Sequence, residues 1–475
     1  MSDILLLHPA EHGRTFGGMP PLGMTSITSY LRSKNISTAF VDLQISDLGI
    51  EELLQNNKPQ VVGIGGTSHT RFESFSLARR IKKFDPAIKI MYGGPHATFT
   101  AGNTLKSVPE IDFIVRGEGE TATLELAAEL LRRNPDVRAI RGISCRENDA
   151  VVHHRDSERI EDLDILPFPY RDPDALQKYD LLLDFLKVPA ASIISSRGCP
   201  VNCSFCSASA MFGTRLTLRS AKNVVDEIEI LLKEHGYQGV KFFDSTLTLH
   251  KDHVEAICAE IRRRNLVFPW ECEIRVNGVS FDLLQTMKKA GCYYVDFGIE
   301  SASPEVLKGM HKGITIEQAE RVLHWTKEIG LFTKVFFTFG HIGETLEDAV
   351  KTVQFMERYA KYIDFIATGL GVRIYPGTEV EQSALAQNLL PKDFSWEQPY
   401  LDEKIESLGN DPIIPIVIQS GFGWKEFRKL EFRLAWFWIK HPRAALSALR
   451  GQIQLGRLKI LAKLAYRFVS NLFSK

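Results

Sequence analysis

Three cysteines crowd one short stretch of the chain: Cys199, Cys203 and Cys206, in the run Ile194-Ser195-Ser196-Arg197-Gly198-Cys199-Pro200-Val201-Asn202-Cys203-Ser204-Phe205-Cys206. Thiols at spacings of four and three, in a loop punctuated by Gly and Pro after an apolar stretch, can converge on one corner of an iron-sulfur cluster. The loop holds no fourth cysteine, so one iron would stay open to another ligand. Chance placement of seven cysteines in 475 residues gives this spacing with a probability on the order of one in a thousand. Zinc is the next competitor. It would want a fourth ligand at short spacing, and the nearest downstream histidine is His235. Disulfides fit poorly with low cysteine usage and an N-terminus unlike a signal peptide.

A chain of this length is expected to form two or three domains. Hydrophobic content of 44% and charged content of 24% suit a globular protein. The 58 basic and 58 acidic residues cancel, which leaves no electrostatic footprint for nucleic acid. No long uninterrupted apolar run occurs, so no membrane span is expected. The few cysteines suit a reducing cytoplasm.

Residues 1–140 alternate apolar runs with helical patterns. Strands are expected at residues 3–8, 38–42, 61–66, 89–94 and 113–117, with helices up to about Leu31 and at 72–84 and 121–133. Such alternation specifies a doubly wound parallel sheet of Rossmann-like type, with ligands at the carboxyl ends of its strands. The loops there contain Gly65-Gly66-Thr67-Ser68-His69, Gly93-Gly94-Pro95-His96 and Gly117-Glu118-Gly119-Glu120. Glycines at those ends admit a flat or bulky ligand close to the backbone. Steric demands of a βα turn also favour glycine, so any one of these loops alone says little.

Residues 141–188 read as a short hairpin and a proline-rich linker. From 189 to 380 six further βα units follow, with strands near 191–195, 240–244, 270–276, 293–300, 332–339 and 363–374. Six units fit a partial (β/α)6 barrel of TIM type, whose reactive groups sit at the strand ends. That rule selects the cysteine loop, Asp244, Arg275, Glu300, the Gly340–Thr345 loop with Gly340 and Gly343, and Tyr375-Pro376-Gly377-Thr378. A carboxylate there can accept from an ammonium group or a ribose hydroxyl pair. Asp244 and Glu300 could equally cap helices, and Arg275 could close the barrel mouth by a salt bridge.

The CxxxCxxC loop with Phe205 before the last cysteine resembles that of radical S-adenosylmethionine (SAM) enzymes, in which a [4Fe-4S] cluster on Cys199, Cys203 and Cys206 would bind SAM at its open iron and cleave it to a 5'-deoxyadenosyl radical. Phe297-Gly298-Ile299-Glu300-Ser301 resembles the family's ribose-binding strand, and Gly340-His341-Ile342-Gly343-Glu344-Thr345 its fifth-strand loop with Ile342 in place of proline. The resemblance implies SAM contacts at Asp244, Arg275, Glu300, Gly340 and Gly343. The preceding domain is similar to the cobalamin-binding domain of one large subfamily, which implies cobalamin contacts at Thr67, Ser68, Gly93, Gly94, His96, Gly117 and Glu118. An Asp-x-His-x-x-Gly sequence for the lower cobalt ligand is missing, so that ligand is unassigned. The resemblance, over about residues 1–380, implies a methyltransferase acting on unactivated carbon of a hydrophobic small molecule (lipid, terpenoid or tetrapyrrole), served by an electron donor such as flavodoxin or ferredoxin. Radical oxidation or cyclisation without methyl transfer is the alternative, and a non-catalytic cluster or cobalamin sensor a further one.

Residues 381–475 are expected to form a helical, basic extension. An aromatic-rich stretch at 422–440 precedes a basic amphipathic pattern at 446–473 that lacks any acidic residue and could contact the inner face of a membrane.

Overall fold

The computed structural model describes residues 2–11, 18–391 and 394–446. Two sheets dominate it, the second wholly parallel and the first parallel through its first five strands. The first comprises β1 (Ile4–His8), β2 (Thr38–Asp42), β3 (Val61–Gly65), β4 (Lys89–Gly93), β5 (Phe113–Val115), β6 (Ile143–Glu147) and β7 (Ala150–His153), in the order β2-β1-β3-β4-β5-β6-β7. β1 explains why its sequence is apolar without alternation. Leu5 and Leu7 pack into a core with Phe75, Ala78 and Leu105, while Ile4 and Leu6 pack on the opposite face with Leu31, Ala122 and Leu126. A strand buried on both faces has no polar side to show. The chain winds one way from β1 to β2 and the other way from β1 to β3, so the topological switch lies between β1 and β3.

The expected hairpin is present, but it belongs to this sheet: β6 pairs antiparallel with β5, and β7 with β6. Helices at Ile50–Asn57 and Pro95–Ser107 were not anticipated. The second starts at Gly94-Pro95, and proline at the first helical position is a start signal that could have revealed it.

The second sheet holds β8 (Ala190–Ile193), then, beyond the two-residue ladder of β9 (Ser196–Arg197) with β10 (Thr217–Leu218), β11 (Gly239–Phe242), β12 (Trp270–Ile274), β13 (Cys292–Glu300), β14 (Phe332–Phe339) and β15 (Phe365–Leu370). The six long strands run parallel in sequence order, which is the partial barrel expected. Helices between them are amphipathic and firmly capped: Thr345 and Asp348 form a reciprocal capping box at the start of Leu346–Tyr359. The barrel's inner face is charged. Lys241 pairs with Glu271 at 2.5 Å and Lys334 with Asp296 at 3.5 Å, and burial pushes the Asp296 carboxyl up to about 7.

Beyond the barrel the extension is helical, as expected. Helices Glu379–Ala386, Glu403–Ser407 and Trp424–Lys440 are separated by irregular chain that lies back on the first domain. Fully buried Arg71 donates to the carbonyls of Ser68, Trp396 and Ile413, at 2.5, 3.0 and 2.8 Å. The last helix buries Phe427, Leu430, Leu434 and Phe437 in the barrel's core cluster. The basic pattern beyond Leu446 falls outside the described residues. Among those described, no helix is long and apolar enough to cross a membrane.

Candidate active site between the two sheets

The carboxyl ends of both sheets face one cavity of about 740 Å³. From the first sheet it is lined by Leu6 and His8 of β1, Gly65 to Thr67 after β3, Gly93 and Gly94 after β4, and Gly117 to Glu120 after β5. From the second come Arg197, Cys206, Phe243 and Ser245.

The cysteine loop is shaped by its backbone. Gly198 has φ +97°, and a Cβ there would stand 2.2 Å from the Arg215 carbonyl oxygen, so only glycine fits. Asn202 takes φ +53°, and its side-chain oxygen accepts from Ser209 Oγ at 2.8 Å. The Cys206 N–H donates to the Cys203 carbonyl at 3.0 Å, and the Cys199 N–H to that of Gly213 at 3.1 Å. All three thiols are free and partly exposed, which is the donor set a [4Fe-4S] cluster needs. Burial pushes the Cys206 thiol up, and the nearby Cys203 and Cys199 sulfurs add to that; coordinated iron would draw the three thiols to their thiolate form.

Glu300 ends β13 in the left-handed region at φ +67°, where the register with β14 shifts. Strain of this kind costs about 1 kcal/mol or more and is held by surrounding contacts. Its carboxylate accepts from Lys312 Nζ at 2.9 Å and from Thr338 Oγ1 at 3.1 Å. Lys312 also stands 5.7 Å over the ring of Phe205, the residue before Cys206, and Thr338 Oγ1 lies 2.6 Å from His341 Nε2. Glu300, the cysteine loop and the Gly340 loop are thereby joined. Lys312 and Thr338, which join them, carried no sequence signal.

The Gly340 loop is held on both sides. Gly340 and His341 donate their N–H groups to Glu344 Oε2 at 2.6 and 2.8 Å, and Gln419 clamps Gly343 N–H and the His341 carbonyl at 3.0 and 2.6 Å. Burial pushes Glu344 up to about 7, against the pull of those backbone donors, and pushes His341 down to about 4. Arg275 is buried, with a guanidinium nitrogen 3.4 Å from where a Gly313 Cβ would stand, beside Lys312.

Of the expected site residues on the second domain, Cys206 lines the cavity, whereas Cys199, Cys203, Arg275, Glu300, Gly340, Gly343 and Asp244 do not, although Phe243 and Ser245 on either side of Asp244 do. The Asp244 carboxylate accepts from the Ser195 N–H at 3.1 Å, from Ser195 Oγ at 2.9 Å and from Ser196 Oγ. Those bonds fix the turn from β8 into the cysteine loop: Oδ1 accepts from all three donors, while Oδ2 shares only the Ser195 N–H.

On the first domain, Thr67, Gly93, Gly94, Gly117 and Glu118 line the cavity, whereas Ser68 and His96 do not. Those two are buried and 3.0 Å apart, Oγ to Nδ1, and burial lowers His96 to about 3. His69 is occupied as well, 2.6 Å from Asp411 and 2.9 Å from the Tyr375 hydroxyl. Among the described residues, His8 is the histidine that lines the cavity. Gly94 has φ +103°, and a Cβ there would meet the Gly66 carbonyl oxygen at 2.4 Å; Gly117, at φ +71°, has no heavy atom within 4 Å of its would-be Cβ. Bare backbone of this kind suits a broad planar ligand such as cobalamin.

Residues 193–356 match the Radical SAM superfamily, and residues 14–127 match the B12 binding domain. An uncharacterized methyltransferase of Pyrococcus horikoshii is 35% identical over 405 residues, spanning 82% of this chain and 84% of that protein. The chain belongs to the cobalamin-binding radical SAM family. Also similar to this family member, at 32% identity, is the anaerobic magnesium-protoporphyrin IX monomethyl ester cyclase of Rubrivivax gelatinosus, over 74% of this chain and 64% of the cyclase. The solved structure of the radical SAM methyltransferase TsrM from Kitasatospora setae, with cobalamin and a [4Fe-4S] cluster bound, shares the fold. Its TM-score is 0.75 at 20% identity, over 98% of this chain and 100% of that one. As a radical SAM enzyme of the cobalamin-dependent methyltransferase group, the chain has a [4Fe-4S] cluster, SAM and cobalamin as its cofactors.

Proposed function

We propose that the enzyme methylates an unactivated carbon of a hydrophobic small molecule, in the class of a lipid, terpenoid or tetrapyrrole. The observation that carries this reading is the shared cavity: Cys206 and the glycine loops after β3, β4 and β5 line one space. When bound, the cluster and SAM supply the radical and cobalamin supplies the methyl group. Cys199, Cys203 and Cys206 hold the cluster. Glu300, fixed by Lys312 and Thr338, is aligned to accept from the SAM ribose, and the Gly340–Gly343 backbone to pass its adenine. Thr67, Gly93, Gly94, Gly117 and Glu118 serve cobalamin. Arg275 retains a SAM role in this reading, and Asp244, Ser68 and His96 act instead as positioning residues behind the loops. Apolar Phe168, Met211 and Phe212 in the lining support a hydrophobic substrate, and the partly exposed cysteine loop supports reduction by an external flavodoxin or ferredoxin. Free cysteines throughout support a cytoplasmic location. We also assign the units as a cobalamin domain extended by the β6–β7 hairpin, a linker, the radical SAM barrel to about residue 380, and the extension.

A second reading, radical oxidation or cyclisation without methyl transfer, is favoured by the similarity to the cyclase. Anaerobic reconstitution with iron, sulfide and cobalamin, followed by mass spectrometry of SAM products with and without lipid extract, separates the two. S-adenosylhomocysteine together with 5'-deoxyadenosine is the expected outcome. 5'-Deoxyadenosine alone would overturn methylation in favour of the second reading.

A further inference from the structure

The helix Trp424–Lys440 has two unlike faces. Phe427, Leu430, Leu434 and Phe437 are buried in the barrel core. On the opposite side, Phe432, Trp436, Ile439 and, in the turn that follows, Leu446 are 63, 54, 53 and 55% exposed. Spacings of four and three place Phe432, Trp436 and Ile439 on one stripe; Leu446 belongs to a separate helical turn beyond His441, where the helix ends. Every exposed residue from 424 to 446 is either apolar or basic: Lys425, Arg428, Arg433 and Arg443 are among the exposed cations, while the half-exposed Glu426 caps Gly423 and lies 3.9 Å from Lys429, and Glu431 is also half-exposed.

An aromatic stripe bordered by cations has few compatible occupants. A second copy meeting it face to face would set these cations against one another. The 29 residues that follow Leu446 carry six further basic residues and no acidic one, so covering the stripe with them would add charge of the same sign. A surface of anionic lipid satisfies both halves at once, with aromatic and aliphatic groups entering the acyl boundary and lysines and arginines meeting phosphates.

We propose that this face seats the enzyme on an anionic lipid bilayer, with Phe432, Trp436 and Ile439 at the acyl boundary. The proposal extends the cytoplasmic placement above and does not depend on which reaction the cavity performs.

The full chain is tested by co-sedimentation with vesicles of phosphatidylcholine alone or mixed with phosphatidylglycerol. Binding is expected to the mixed vesicles, weakening with salt. The variant Phe432→Ser/Trp436→Ser/Ile439→Ser, whose positions are exposed and leave the core intact, is expected to bind at least roughly tenfold more weakly. Brominated lipid is expected to quench wild-type fluorescence more than that of Trp436→Phe. Equal partition of the wild type and the triple variant, or indifference to phosphatidylglycerol, would overturn the proposal. So would a dimer that the triple variant dissolves while vesicles are ignored. SAM cleavage without vesicles should be unchanged in the triple variant, so failure here is distinguishable from failure of the methyltransferase reading.

Discussion

Arg197 donates from Nη2 to Glu120 Oε1 at 2.6 Å, while its Nη1 stands 3.3 Å from both Glu118 and Glu120. One guanidinium thus ties the residue two places before Cys199 to the loop after β5, and the docking of the two domains is coupled to the position of the cysteine loop. The Glu120 side chain is only 4% exposed, so removing the arginine strands a carboxylate in a poorly solvated site.

Arg197→Ala is therefore expected to cost about 3–5 kcal/mol of unfolding free energy, measured by chemical denaturation. The triple variant Arg197→Ala/Glu118→Gln/Glu120→Gln should regain most of that, because amide oxygens still accept from Ser26 and from the Ile160 N–H. Equal losses in the two variants would refute the electrostatic account.

Cluster assembly should depend on the loop cysteines alone. Cys203→Ala is expected to lose bound iron and sulfide after reconstitution and to cleave no SAM above background. Cys145→Ser, altered in β6 away from the cavity, should keep full iron content. Retained cleavage by Cys203→Ala would sink the cluster assignment.

Two glycines should separate folding from cofactor binding. Gly94→Ala forces a Cβ to 2.4 Å from a backbone oxygen at positive φ, so a loss of several kcal/mol in stability is expected. Gly117→Ala meets nothing within 4 Å and bears only the left-handed strain, about 1–2 kcal/mol. It borders the cavity, however, so equilibrium binding of hydroxocobalamin is expected to weaken about tenfold or more while the fold persists.

Glu344 should leave a pH signature. Its folded pKa of about 7 exceeds the ordinary 4.5, so between those values the folded state keeps a proton that the unfolded state has released. Stability contributed by this group is present at acid pH and falls as pH rises through that window, by at most about 3 kcal/mol. Glu344→Gln should flatten this slope in denaturation curves taken without cofactors. An unchanged slope would count against the assignment.

The sequence disclosed the strands well because β1 and β3 are buried on both faces and read as unbroken apolar runs. The barrel was legible from its strand spacing, and Cys199, Cys203 and Cys206 from local clustering. Residue roles decided by distant partners were not legible. Asp244 stands at a strand end as expected, yet Ser195 and Ser196, 49 and 48 positions away, claim its oxygens. Ser68 and His96 occupy the expected loops, but Ser68 Oγ meets His96 Nδ1 behind them and His96 Nε2 is buried with no partner among the described residues. Lys312 and Thr338 reach Glu300 from 12 and 38 positions away, on elements whose own patterns gave no hint of a shared carboxylate.

Arg71 carries a consequence for biosynthesis. Two of its three carbonyl partners, Trp396 and Ile413, lie 325 and 342 positions further along the chain. At ribosomal rates of about 5–20 residues per second, roughly 20–70 s pass between making the arginine and making its partners. Throughout that interval Ser68 is the one of those three partners already made, and water stands in for the other two. The first domain is therefore finished last as well as begun first: the helix after its β3 loop gains two of the three carbonyl partners of Arg71 only when the barrel and its cysteine loop have already been made.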